Sequence, residues 1–136
     1  MIILLTLSCA SKIFDHPALG DEGSASAELT IIRPREFVGS CCPVCLRIDG
    51  ETIVCLRIGR YATVRLRPDR YWLSGMGYEL FDRHRPDWVI DMEATEIDLE
   101  VGETAYVVLE AGPVFTIVSP EEGKALMREY KRVGED

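Results

Sequence analysis

The residues best equipped for chemistry are four clustered cysteines, Cys41, Cys42, Cys45 and Cys55. Thiolates can hold zinc, exchange electrons or close disulfides, and spacing separates these uses. Cys42 and Cys45 have the gap of one half of a zinc site, but a second such pair is missing. Thioredoxin-like motifs sit at the start of a helix, whereas Pro43-Val44-Cys45 runs into a strand-like stretch. Disulfides are therefore the expected use, and a thiol-redox or zinc-dependent protein built on the Cys41–Cys45/Cys55 cluster is the alternative.

Histidine chemistry has less support. Only His16 and His84 are present. Asp82, His84 and Asp87 lie close together, yet no second histidine or nucleophile motif accompanies them, so a solvated loop histidine is expected. Gly75-x-Gly77 lacks the strand-turn-helix setting of a nucleotide fingerprint. No catalytic residue, metal ligand or cofactor is expected.

Arg47, Arg57, Arg65 and Arg67 all fall on the parity opposite the apolar residues of three successive strands. They are expected to share one sheet face. Such a face would suit anionic head groups or an acidic partner. Pairing with the alternating acids Glu96, Asp98 and Glu100 accounts for it equally simply, and is the preferred expectation.

The elements that must position these residues are mostly strands. Leu29 to Arg33 is an apolar run closed by Pro34. Val44, Leu46 and Ile48 alternate with Cys45, Arg47 and Asp49, and Asp49-Gly50 supplies turn chemistry. Ile53 to Ile58, Ala62 to Leu66, Tyr71 to Ser74, Ile97 to Val101, Tyr106 to Leu109 and Val114 to Val118 follow. Gly75 to Asp91 reads as a long loop, with room for a strand around Tyr78 to Phe81 or Trp88 to Ile90. Ser119-Pro120-Glu121-Glu122 is a helix start, and the spacing predicts a helix to about Lys131 that buries Ala125, Leu126 and Tyr130. The expected fold is mainly β: an antiparallel β-sandwich of about seven strands with one short C-terminal helix, spanning residues 28–133.

Strand register names a disulfide partner. A two-residue loop at Asp49-Gly50 would turn Arg57 toward the core side. A three-residue loop with a glycine bulge pairs Ile48 with Thr52 instead, puts Val54, Leu56 and Ile58 on the face of Val44, Leu46 and Ile48, and sets Cys45 opposite Cys55. The three-residue loop is expected on that ground.

The chain has 136 residues, 47% of them apolar, and a formal net charge of −8. One domain with its own core fits that length. The charge argues against nucleic-acid binding by bulk electrostatics. Its layout is uneven: net +4 from Arg33 to Arg70, and net −10 from Glu79 to Glu122.

Residues 1–9 are an apolar run ending in Thr6-Leu7-Ser8-Cys9, similar to a lipoprotein signal with Cys9 as the lipidated residue and with its start missing. Thr6 stands where a larger aliphatic residue is usual, and a plain strand from Ile2 to Leu7 is the competing reading. Residues 10–27 have linker composition.

Ile31-Ile32-Arg33-Pro34-Arg35-Glu36-Phe37-Val38-Gly39-Ser40 resembles the opening signature of a bacterial family, the domain of unknown function numbered 2846. Ile48-Asp49-Gly50, Gly59-Arg60-Tyr61, Pro68-Asp69-Arg70-Tyr71 and Gly102-Glu103-Thr104-Ala105-Tyr106-Val107 follow in the family's order. The match covers about Leu29 to Val118. The long loop from Gly75 and the cysteine cluster depart from it. The resemblance implies an exported lipoprotein with a small β-sandwich and no established catalysis. The expected function is thus a non-catalytic envelope domain, lipid-anchored at the outer membrane or periplasmic face, that binds or scaffolds a protein or another envelope component. A cytoplasmic domain is the alternative placement.

Overall fold

The computed structural model describes residues 11–20, 25–35, 44–77, 94–109 and 115–133, with Met76 and Gly77 described by backbone alone. Ten strands and one helix follow in order: β1 (Lys12–Ile13), β2 (Ala27–Arg33), β3 (Val44–Ile48), β4 (Glu51–Leu56), β5 (Arg60–Leu66), β6 (Asp69–Gly77), β7 (Thr95–Leu99), β8 (Thr104–Leu109), β9 (Phe115–Val118), α1 (Pro120–Met127) and β10 (Lys131–Arg132). They form two five-stranded sheets, β1-β4-β3-β6-β7 and β10-β5-β2-β8-β9. The molecule is mainly β and sandwich-like, with ten strands among the described residues rather than the expected seven.

The first sheet is wholly antiparallel. The second is mixed, because β2 runs parallel to β8 and β10 parallel to β5. The expectation of an antiparallel sandwich is corrected there. After β2 the chain builds the other sheet before β8 returns beside β2, and that crossover makes the pair parallel.

Alternation explains the core. Leu29 and Ile31 from β2, Ala62, Val64 and Leu66 from β5, and Val107 and Leu109 from β8 meet Leu46, Ile48, Val54, Leu56, Leu73 and Leu99 of the other sheet. Val101 was expected to continue the inward row of Ile97 and Leu99. It lies instead in the turn after β7 and is 64% exposed.

The outer face of the second sheet is also covered. Thr30 and Ile32 of β2 and Tyr106 and Val108 of β8 are buried there, and α1 packs against these two strands. Ser119 caps α1 through its Oγ, which accepts the Glu122 N–H at 3.2 Å. The helix stops at Met127, short of Lys131, and its buried residue is Gly123 rather than Ala125, which is exposed. A Cβ on Gly123 would lie 2.3 Å from Cγ of Tyr106, so the helix seats on that ring only through a glycine.

Residues 11–20 belong to the fold, which corrects the linker reading for that part of residues 10–27. β1 pairs with β4, and Phe14 N–H donates to the Ile53 carbonyl. Ala18 is buried, its carbonyl accepts from Arg67 N–H, and Gly20 N–H donates to the Arg65 carbonyl. This strap links the edge of one sheet to the end of the other. Residues 1–9, including Cys9, and the segment Tyr78 to Asp91 with His84 lie outside the described residues.

Gly123→Ala is expected to lower stability by roughly 1–3 kcal/mol through overpacking against Tyr106, despite a gain of about 1 kcal/mol in helix propensity. Urea unfolding checks the sign: a midpoint at or above that of the native sequence would mean that α1 does not seat on Tyr106.

Candidate functional site

The β3–β4 hairpin organises the chemistry at one end of the molecule. Asp49 and Gly50 both have left-handed backbone, with φ of 52° and 82°. That pair makes the two-residue turn whose twist matches its strands. Ile48 therefore pairs with Glu51, which corrects the expected three-residue loop. The extra residue is taken up further along. Arg47 pairs with Thr52 and Leu46 with Val54, so Ile53 is the bulge. Beyond it the expected register returns. Cys45 stands opposite Cys55, and the two form a disulfide with a Cα separation of 4.0 Å. The bulge also lets Ile53 and Val54, adjacent in sequence, both be fully buried. Cys41 and Cys42 lie outside the described residues.

The turn is fastened to the neighbouring strand. Asp49 Oδ1 accepts the Trp72 N–H at 2.9 Å, and Asp49 N–H donates to the Trp72 carbonyl at 2.9 Å. Trp72 faces outward from β6, opposite Glu96 of β7, and is 49% exposed. Ser74, two residues on and on the same face, is buried and stands opposite Arg47. Among the described residues Asp49, Gly50, Trp72, Ser74 and Ala94 line a cleft of about 560 Å³. Arg47 Nε is sealed from solvent and has no hydrogen-bond partner. A buried donor left unmet costs about 1–3 kcal/mol and calls for an explanation.

A second cleft, of about 320 Å³, lies between the strap and the same turn, with His16, Glu51, Arg67, Asp69 and Tyr71 on its walls. Its reactive groups are already engaged. His16 Nδ1 accepts the Ala18 N–H at 3.0 Å, which leaves Nε2 as the donor to the Ile48 carbonyl at 2.8 Å. Tyr71 Oη donates to the Arg67 carbonyl at 2.5 Å.

The four arginines do not share one face. Arg47 lies on β3 and Arg57 just after β4, in the first sheet, whereas Arg65 lies on β5 and Arg67 just after it, in the second. The turn at Gly59, with φ of 73°, carries the chain from one sheet to the other, so the outward sides of β4 and β5 point in opposite directions. Their parity is as expected: Arg57, Arg65 and Arg67 are exposed. The expected partner for the acidic strand is corrected too. β7 pairs with β6, and Arg70 Nε lies 3.1 Å from Glu96 Oε1 in an exposed ion pair.

Two positions that shape this region escaped the sequence reading. Trp72 signalled itself, as a large aromatic on the outward parity of a strand. Arg33 gave no such signal. It is 2% exposed, and its Nη1 donates to the Leu56 carbonyl at 2.8 Å, bridging the sheets.

No protein family matches the chain, and no curated protein or solved structure does so either.

Burial holds the Tyr71 phenol above its ordinary value of 10.0, Asp69 and Asp49 add to the effect, and Arg67 opposes it. The folded protein thus keeps this proton where the unfolded chain releases it. The resulting stability is complete below about pH 10 and is lost as pH climbs through the folded value. Urea unfolding between about pH 8 and 11 should show a steeper alkaline loss for the native sequence than for Tyr71→Phe. Equal slopes would mean that the phenol is not held this way.

Proposed function

We propose that this chain is a non-catalytic binding domain of the bacterial cell envelope, carried on a lipid at Cys9 and displayed in an oxidising compartment. The observation that carries the reading is the Cys45–Cys55 disulfide, which joins directly opposed residues of neighbouring strands. Such bonds persist outside the reducing cytosol. The bond ties up two of the four clustered sulfurs between strands, which supports a structural role over thiol-redox or zinc chemistry.

The polar groups support binding over catalysis. Both ring nitrogens of His16 and the Tyr71 hydroxyl are bonded to backbone atoms, so they hold the strap and the strand ends in place. The cleft beside Trp72, by contrast, combines an exposed aromatic surface with polar walls, the usual make-up of a recognition site. The ordered motifs that resemble those of the family numbered 2846 favour the same placement, and the partner sought is a protein or another envelope component.

Two measurements in a bacterial host test the placement. Palmitate label is expected on the native sequence behind a complete signal and is expected to disappear in Cys9→Ser. Alkylation of intact cells is expected to leave Cys45 and Cys55 unmodified until reductant is added. Label that is equal in both proteins, together with Cys45 and Cys55 trapped as free thiols, would overturn the reading in favour of a cytoplasmic domain.

A further inference from the structure

We propose that the cleft beside Trp72 binds a neutral carbohydrate, with a pyranose ring laid on the indole. This rests on the reading of the chain as a binding domain and names its ligand class.

The backbone that carries the indole is firmly held. Trp72 stands on β6, which is hydrogen-bonded to β3 on one side and β7 on the other. Its own backbone N–H and C=O are both held by Asp49. Nearly half its surface nevertheless faces solvent. Leaving that much aromatic area in water forgoes a large apolar burial, which a ligand recovers. Mounting the ring on a sheet keeps the entropy lost on binding low.

The surroundings select the ligand. Asp49, Glu96 and Asp98 lie near Trp72 on the outward face, and Arg47 and Arg70 stand there too. Arg70 is paired with Glu96 and the carboxylates outnumber the arginines, so the field does not favour an anion. A phosphate would meet carboxylates, and a purely apolar ligand would strip water from Asp49 and Ser74 without replacing its hydrogen bonds. A pyranose answers both demands. One side of its ring is a patch of C–H groups that packs on an aromatic face, and its hydroxyls both donate and accept around the rim. At about 560 Å³ the space lies within the usual range of small-ligand sites, about 300–1,000 Å³.

The test uses ¹⁵N-labelled protein and the indole N–H signals of its two tryptophans, assigned with Trp72→Phe. Neutral oligosaccharides of glucose, mannose and N-acetylglucosamine are titrated in, with inorganic phosphate and free indole as the anionic and apolar probes. At least one oligosaccharide is expected to shift the Trp72 signal saturably. Trp72→Ala should weaken that binding by about tenfold or more, as for an aromatic anchor. Asp49→Asn keeps the left-handed turn and an acceptor for the Trp72 N–H, and should weaken it by a smaller factor. Trp72→Tyr, with a native-like spectrum, keeps the test decisive if the alanine variant unfolds; it should retain part of the affinity. The inference is overturned if no oligosaccharide moves the Trp72 signal, if phosphate or indole moves it more strongly, or if binding survives loss of the aromatic ring. Loss of the carbohydrate result while Cys9 labelling and the Cys45–Cys55 bond persist leaves the envelope placement standing. Loss of the latter two with sugar binding intact removes the placement alone.

Discussion

The β3–β4 hairpin must place Val44, Leu46 and Ile48 on the same core face as Val54 and Leu56, and much of the molecule follows from how it does so. A turn that matches strand twist needs two left-handed residues, and Asp49-Gly50 supplies them. That turn by itself would leave the two apolar rows on opposite faces. The bulge at Ile53 restores them, at the cost of one irregular pair. With the rows aligned, Cys45 and Cys55 meet on the other face, and Asp49 comes to rest against Trp72. Core, disulfide and cleft share one geometric solution.

The ends of the sandwich are closed by polar contacts. At one end the strap is held through His16, Ala18 and Gly20, with backbone partners in both sheets. Elsewhere the buried Arg33 guanidinium reaches from β2 to the Leu56 carbonyl, and Gly59 N–H donates to the Arg33 carbonyl. These contacts are more than decoration on an apolar core, because an interior donor or acceptor that loses its partner costs about 1–3 kcal/mol. They also explain why a histidine, a tyrosine and an arginine, side chains common in active sites, sit here in structural roles.

The surface charge has little bearing on the fold. The Arg70–Glu96 pair has exposures of 65% and 40%, where solvent screening leaves such contacts worth at most about 1 kcal/mol. Separation of the remaining arginines between two sheets removes the concentrated cationic face that their spacing suggested. The more distinctive surface feature is an indole, about half exposed beside Asp49 and Ser74.

Much of this was legible in the residues alone, and the legible part is local. Alternation assigned the inward rows of β3 and β5. Ser119-Pro120 marked the start of α1, and the burial of an arginine in the wrong register was enough to pair Cys45 with Cys55. Each depends on neighbours a few positions away, or on one hairpin whose two strands must agree. The turn length was misread because two arrangements, a longer loop or a tight turn with a bulge, give the same register beyond Val54. What the sequence left open depends on contacts between distant segments. Whether β5 continues the sheet of β4 or crosses to the other is decided by where β2 lies, and it is this crossing that separates Arg47 and Arg57 from Arg65 and Arg67. Residues 11–20 carry linker composition, yet backbone hydrogen bonds hold them, and those bonds are blind to side-chain type. The seat of α1 depends on Tyr106 beneath Gly123, a contact that no periodicity of the helix encodes. Side-chain pattern specifies which face of an element is apolar, but only packing of the whole chain decides what that face meets.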